Sequence, residues 1–322
     1  MLRIIEEHRQ LFDDGHLAFF GISIDPEDER EARVQASLPG VRFFWDFDGL
    51  ISRLYGVLPV DQSEASATFQ RLWLVLDPML RVRARFQAKP DGSERHEVAE
   101  YLRALPAVDA FLGFPIQAPV IVLPDVFEPD LCRRLVDLYE THGGEDSGFM
   151  REVGGKTTGI VDYGHKRRSD YTIEDEDLKI LLRQNVGRKV VPEISKAHHF
   201  QATRMERYIV ACYDGETGGH FRAHRDNTTK GTAHRKFALS IALNDDYSGG
   251  ELSFPEYGSR SFKIPIGGAV IFSCSLLHAV SPVTQGRRYV FLPFLYDDAA
   301  AALREANNQY LDGDVGEYRK ER

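Results

Sequence analysis

Cysteine is scarce, with only Cys132, Cys212 and Cys274 in 322 residues. An odd number without paired spacing excludes a disulfide framework. Sparing use of thiols fits a reducing compartment, so a cytoplasmic location is expected. Long apolar runs are missing too. None approaches the ~20 residues that cross a bilayer. The opening Met1-Leu2-Arg3-Ile4-Ile5-Glu6-Glu7 places acids where a secretory leader needs an apolar stretch, so no membrane partner is expected. Positive charge is in deficit, with 40 Lys and Arg against 49 Asp and Glu and a net charge of −9. Such a surface lacks the field that holds nucleic acid or anionic lipid, and no nucleic-acid partner is expected. A local basic run, His165-Lys166-Arg167-Arg168, reads as a solvated loop.

What is present is the balance of an ordinary globular chain, 43% hydrophobic and 28% charged. The length suggests two domains, each able to bury a core. Residues 2–14 read as a helix and Leu17 to Ile24 as a buried strand. Asp25-Pro26 opens a second helix. Phe43-Phe44-Trp45 is a short apolar run, Asp46-Phe47-Asp48-Gly49 a turn, and Leu50 to Tyr55 a helix. Arg71 to Leu76 and Leu80 to Phe86 form a hairpin across Asp77-Pro78, and Ser93 to Leu105 a closing helix. Strands alternating with helices suggest an α/β domain over 1–112. Residues 113–119 carry two prolines and read as a linker.

Beyond it, Val120 to Leu123 reads as a strand and Glu128 to His142 as an amphipathic helix. The glycine-rich stretch 143–171 reads as a loop and a candidate substrate lid, and 173–197 as a helix. From Arg204 to Tyr296 short strands alternate with turns, so 119–298 reads as a β-sandwich or double-sheet jelly roll. Residues 299–322 read as a tail.

One triplet in the β section carries chemistry. Alternate residues on a strand point the same way, so His224-Arg225-Asp226 presents an imidazole and a carboxylate to one point. A second histidine from a neighbouring strand would complete a two-His, one-carboxylate face with open metal positions. Alone the triplet means little, since one this short arises by chance in a chain with 11 histidines. Its surroundings carry more. Tyr213-Asp214-Gly215 precedes it. Leu243-Asn244-Asp245, Gly249-Gly250-Glu251-Leu252-Ser253-Phe254, Gly267-Gly268-Ala269 and then His278 through Arg288 follow.

In order and spacing these segments resemble the prolyl 4-hydroxylase-like 2-oxoglutarate oxygenases across roughly 119–297, and Phe127 to Cys132 resembles that family's opening helix. The resemblance implies a double-stranded β-helix (jelly roll) with flanking helices, Fe(II) held by His224, Asp226 and His278, and 2-oxoglutarate and O2 as cosubstrates. Ascorbate is a candidate reductant. Arg288, ten residues after His278, falls where the family places the residue that grips the far carboxylate of 2-oxoglutarate. Arg287, its neighbour, faces the other way on a strand. Tyr213 matches a cosubstrate-contacting tyrosine. Relatives often add a tyrosine or threonine from the strand near Ala238 to Leu243; here Ser240 is the hydroxyl that stands in. His220 reads as pocket lining, His198, His199 and His234 as surface or core, and Cys274 as a buried small residue. The implied activity is hydroxylation of an unactivated C–H bond, giving succinate and CO2. The substrate is either a prolyl residue in a protein or peptide, or a small molecule. The competing reading is a non-catalytic metal-binding scaffold or partner-docking protein.

Residues 1–112 resemble a peroxiredoxin, a thioredoxin-like α/β domain. The resemblance rests on Phe19 to Asp25, Asp46 to Gly49, Tyr55-Gly56-Val57 and the hairpin at Asp77-Pro78. No cysteine precedes Cys132, so this domain has no peroxidatic thiolate. By analogy with redoxins it invites a homodimer. The fold class expected overall is α+β in two domains.

Overall fold

A computed structural model describes residues 3–58, 71–106, 116–313 and 318. The chain divides into two compact units, Met1–Ile116 and Gln117–Arg322. Residues 113–115 of the expected linker lie outside the described residues.

Among its described residues the first unit holds two separate two-stranded ladders. Phe19–Ser23 pairs in parallel with Val41–Trp45, and Leu72–Leu76 pairs antiparallel with Val82–Gln87. The α-helices Arg3–Glu7, Pro26–Arg30, Leu50–Leu54 and Glu94–Arg103 accompany them. Local chemistry sets the helix starts. The Asp25 side chain accepts from the Glu27 N–H at the head of one. Gly49, at φ 69°, turns the chain into another, and the buried Asp46 carboxylate accepts from the N–H groups of Ile51 and Ser52. The expected buried strand at Leu17 to Ile24 is half exposed. With one ladder partner it covers a single face, and Phe20 and Ile22 face outward.

In the second unit a nine-stranded sheet faces a five-stranded one, every ladder antiparallel. The large sheet centres on Phe237–Ala242, flanked by Ala269–Ser273 and Arg287–Phe291, with Ile209–Asp214 beyond. The small sheet runs Ser261–Phe262, Leu252–Ser253, His278–Val280, His220–His224, Lys166–Arg167. Period-two alternation sorts the large sheet's side chains. Val210, Cys212, Leu239, Ile241, Ile271 and Phe291 pack under the helices Pro129–His142, Glu176–Lys189 and Val191–His198. Ala211, Tyr213, Ala238, Val270, Phe272 and Val290 face the small sheet's Phe221, Leu252 and Val280. Because both faces are covered, Phe237–Ala242 is buried at every position.

Two expectations are corrected. Residues 143–171 are not a loop. They contain the hairpin Phe149–Val153 with Lys156–Ile160 and the strand Ser169–Thr172, which joins the large sheet beside Ile209–Asp214. The expected tail begins with a capped helix, Asp298–Ala306. Among the described residues no helix is long and apolar enough to cross a membrane.

Candidate metal centre and its pocket

His224 and His278 stand opposite each other in the antiparallel pair His220–His224 and His278–Val280. Asp226 lies past the strand end, in the turn that follows. Its backbone N–H donates to Cys274 O at 3.0 Å. Strand alternation therefore does not aim the carboxylate; a turn pinned to the segment before His278 does. The donor atoms of the three residues lie within 4.8 Å of one another. His224 Nε2 is 3.5 Å from Asp226 Oδ1, and His278 Nε2 is 3.4 Å from Asp226 Oδ2.

Each imidazole is oriented by its other nitrogen. Nδ1 of His224 faces Arg222 O at 2.8 Å and Nδ1 of His278 faces Leu276 O at 3.0 Å. A proton on each Nδ1 satisfies those carbonyls and leaves both Nε2 lone pairs for a metal. Burial disfavours the charged form of His278 and lowers its pKa to about 4, so the ring is neutral at pH 7. Two imidazole Nε2 atoms and a carboxylate converging on one point fit a divalent iron with positions to spare.

The pocket at this triad is walled by Phe221, Leu252, Phe272 and Phe294, and by Tyr213, Ser240 and Arg288. Arg288 is paired in register with Tyr213 and is 5% exposed. Its Nη2 donates to Ser240 Oγ at 3.2 Å, and its Cζ stands 5.1 Å from the Tyr213 ring centre. Nη1 is buried and has no partner among the described residues. A buried guanidinium donor without an acceptor costs about 1–3 kcal/mol, and a carboxylate in the pocket would supply one. Arg287 turns outward to Asp214 and Glu140. His220 is absent from this wall, and its Nδ1 lies 2.8 Å from Gly218 O; the aromatic lining comes from Phe221.

Residues 183–296 match the 2OG-Fe(II) oxygenase superfamily. The matched stretch lies within the second unit. A PKHD-type hydroxylase of Synechococcus sp. is 33% identical over 88 residues, 25% of this chain and 38% of that protein. The chain thus spans well under half of that relative's length. A PKHD-type hydroxylase of Cupriavidus metallidurans is 27% identical over 182 residues, 53% of this chain and 75% of the relative. A solved prolyl-4-hydroxylase of Pseudomonas putida aligns over 56% of this chain and 93% of its own, at 18% identity and a TM-score of 0.42.

Glu256 is a part of this site that the sequence pattern did not flag. Its carboxylate accepts from Arg225 Nη2 at 2.7 Å and from the Leu277 N–H at 3.0 Å. It therefore ties the residue between two triad members to the residue before the third. Glu256→Ala is expected to weaken metal affinity by about 10–100-fold while sparing the fold. A Mn(II) titration checks this, and unchanged affinity would mean that the backbone alone holds the triad.

The basic run is not a solvated loop in the folded second unit. Lys166 and Arg168 are buried, because strands Lys166–Arg167 and Ser169–Thr172 carry them into the two sheets. Lys166 Nζ donates to Ser147 Oγ at 2.7 Å and Gly148 O at 2.5 Å. Burial, then Arg168, lowers its pKa to about 5. In the unfolded chain it titrates near ~10.4. Between those values the unfolded state binds the extra proton, so this group's contribution to stability rises with pH across that window. The stability of wild type relative to Lys166→Met is expected to climb from about pH 6 to about pH 9 in denaturant titrations. A constant difference would mean that Lys166 stays charged in the fold.

The remaining candidates lie elsewhere. His234 is buried against Glu206, His198 packs on Phe237, and His199 caps a helix at φ 52°. All three cysteines are buried. Burial raises Cys132 and Cys212 to about 11 and holds Cys274 well above the ordinary thiol value, so none is a thiolate at neutral pH.

Proposed function

We propose that the protein is an Fe(II)- and 2-oxoglutarate-dependent dioxygenase that hydroxylates an unactivated C–H bond. The observation that carries this reading is the pairing of a converging His224, Asp226 and His278 with a buried arginine, Arg288, whose Nη1 has no acceptor among the described residues. A structural metal site needs no such cation beside it and no open positions. The bound iron, with 2-oxoglutarate and O2, supplies the oxidising chemistry, and the overall change is C–H plus 2-oxoglutarate plus O2 to C–OH plus succinate plus CO2.

The chain's own residues supply position and dryness. His224 Nε2, His278 Nε2 and an Asp226 oxygen hold the metal. Arg288, braced by Ser240, receives the far carboxylate of 2-oxoglutarate, and Tyr213 packs beneath that guanidinium. Phe221, which stacks on His224 at 3.4 Å, together with Phe272, 4.6 Å from His278, excludes water from the ligand rings. The resemblance to prolyl 4-hydroxylase-like oxygenases makes a prolyl residue the first substrate class to try. For the first unit the proposal is a redoxin-like module without a peroxidatic thiol.

Anaerobic visible absorption of the Fe(II)-loaded protein tests the reading. A charge-transfer band that appears on adding 2-oxoglutarate supports it. No band, with iron loading confirmed, would leave Arg288 an ordinary buried arginine and return the triad to a structural role.

A further inference from the structure

We propose that the substrate of this pocket carries a carboxylate, received by Arg207 with Arg168 behind it. The inference rests on the oxygenase reading above and goes beyond it by naming what the substrate must present. Both arginines line the same pocket as the triad and Arg288.

Charge makes the case. Arg168 is buried and grips Asp170 with two bonds, Nε to Oδ1 and Nη2 to Oδ2, each 2.7 Å. Arg207 Nη2 donates to the same Oδ2 at 3.1 Å. Two guanidiniums thus share one carboxylate. Glu206, the neighbouring acid, is engaged by Arg235 and Arg304. Lys166, next to Arg168, adds no counter-charge. In the proposed complex the two positive charges of Fe(II) and the one on Arg288 are balanced by Asp226 and the two carboxylates of 2-oxoglutarate. One positive charge on the Arg168–Asp170–Arg207 group then remains, facing a pocket with aromatic and aliphatic walls. Unbalanced charge in such surroundings is costly, and an anionic ligand removes the cost.

The geometry marks Arg207 as the accessible member. Its side chain is 29% exposed, against 4% for Arg168. Nη2 is its one donor with an acceptor among the described residues. Its Cζ stands 5.5 Å from the Phe294 ring centre, which props the guanidinium from one side. The backbone at Arg207 is left-handed, φ 63°, between strands Arg204–Glu206 and Ile209–Asp214. An arginine held in a conformation that glycine or asparagine adopts more cheaply is kept for its side chain. The apolar walls, Leu292 and Phe294 among them, call for an aliphatic body behind the carboxylate.

The test uses the full chain saturated with Zn(II) and 2-oxoglutarate, and two isosteric probes, butyrate and butyramide, at constant ionic strength. Butyrate is expected to raise the melting temperature saturably and butyramide not to. Arg207→Gln is expected to weaken the butyrate response at least about tenfold, the loss of one charge-assisted hydrogen bond, and Arg207→Lys to recover part of it. The affinity for 2-oxoglutarate, titrated separately, should change less than about threefold in both variants, under 1 kcal/mol. Equal responses to butyrate and butyramide would overturn the proposal, as would a butyrate response that Arg207→Gln leaves intact. A variant that loses 2-oxoglutarate and butyrate together would assign Arg207 to the cosubstrate and end the proposal too. Failure of wild type to bind 2-oxoglutarate at all strikes the oxygenase reading instead, and that is read in its own titration.

Discussion

An Asp226→Asn variant is expected to fold with its melting temperature within about 3 °C of wild type and to bind Fe(II) more than about 100-fold more weakly, beyond what losing an outer-shell partner costs. The amide has the carboxylate's shape, and the contact that positions residue 226, its N–H on Cys274 O, belongs to the backbone and survives. What is lost is the anionic oxygen. Burial opposes the charge on Asp226, yet His278 and His224 outweigh it and hold the carboxyl well below its usual range. The pocket already holds Arg288, Arg168 and Arg207. Without Asp226 a dication would meet two imidazoles, which bring no negative charge, in a field that repels it. Succinate formation should fall to background with metal affinity. If the variant bound Fe(II) like wild type, the carboxylate would not be a ligand and the triad reading would fail. If it unfolded, His278→Gln, which keeps much of the packing against Phe272, would carry the same test.

The sequence made some of this site legible and hid the rest for physical reasons. Period-two alternation separates Arg288 from Arg287, because a strand end has one wet face and one dry face. The structure puts Arg287 on Asp214 and Glu140 and buries Arg288 beside Ser240. The triplet His224-Arg225-Asp226 stood out by its surroundings, although a turn rather than a strand delivers Asp226. Arg168, Asp170 and Arg207 did not stand out. Arg168 and Asp170 are placed by long-range ladders, Lys166 opposite Phe221 and Ser169 opposite Cys212. Such pairings leave little mark on a short glycine-rich segment, which therefore resembles a loop. In the first unit the apolar run at Leu17 to Ile24 signalled a strand correctly but overstated its burial, since a two-stranded ladder has too few neighbours to cover both faces.

Arg288→Ala is expected to raise the KM for 2-oxoglutarate by about 50–500-fold, equivalent to roughly 2–4 kcal/mol for a buried charge pair cut on one side. Metal affinity should move less than about threefold, since Arg288 touches none of the triad residues directly in its hydrogen bonds. The size follows from the surroundings. Arg288 is buried, one end rests on Ser240, and the other end, Nη1, has no acceptor until a carboxylate arrives. Removing the guanidinium deletes the attraction and leaves the cosubstrate's carboxylate desolvated among Leu252, Val280 and Tyr213. Arg288→Lys should fall between, because an ammonium keeps the charge and loses the planar two-pronged fit. Ser240→Ala should cost no more than about tenfold, the range of a single hydrogen bond, and little further in an Arg288→Ala background because its partner is already gone. Arg287→Ala is the control, exposed and paired to surface acids, and should change the KM less than about twofold. Steady-state succinate formation against 2-oxoglutarate concentration measures all five. Equal effects of Arg287→Ala and Arg288→Ala would show that net charge, rather than a carboxylate seat at Arg288, governs cosubstrate binding.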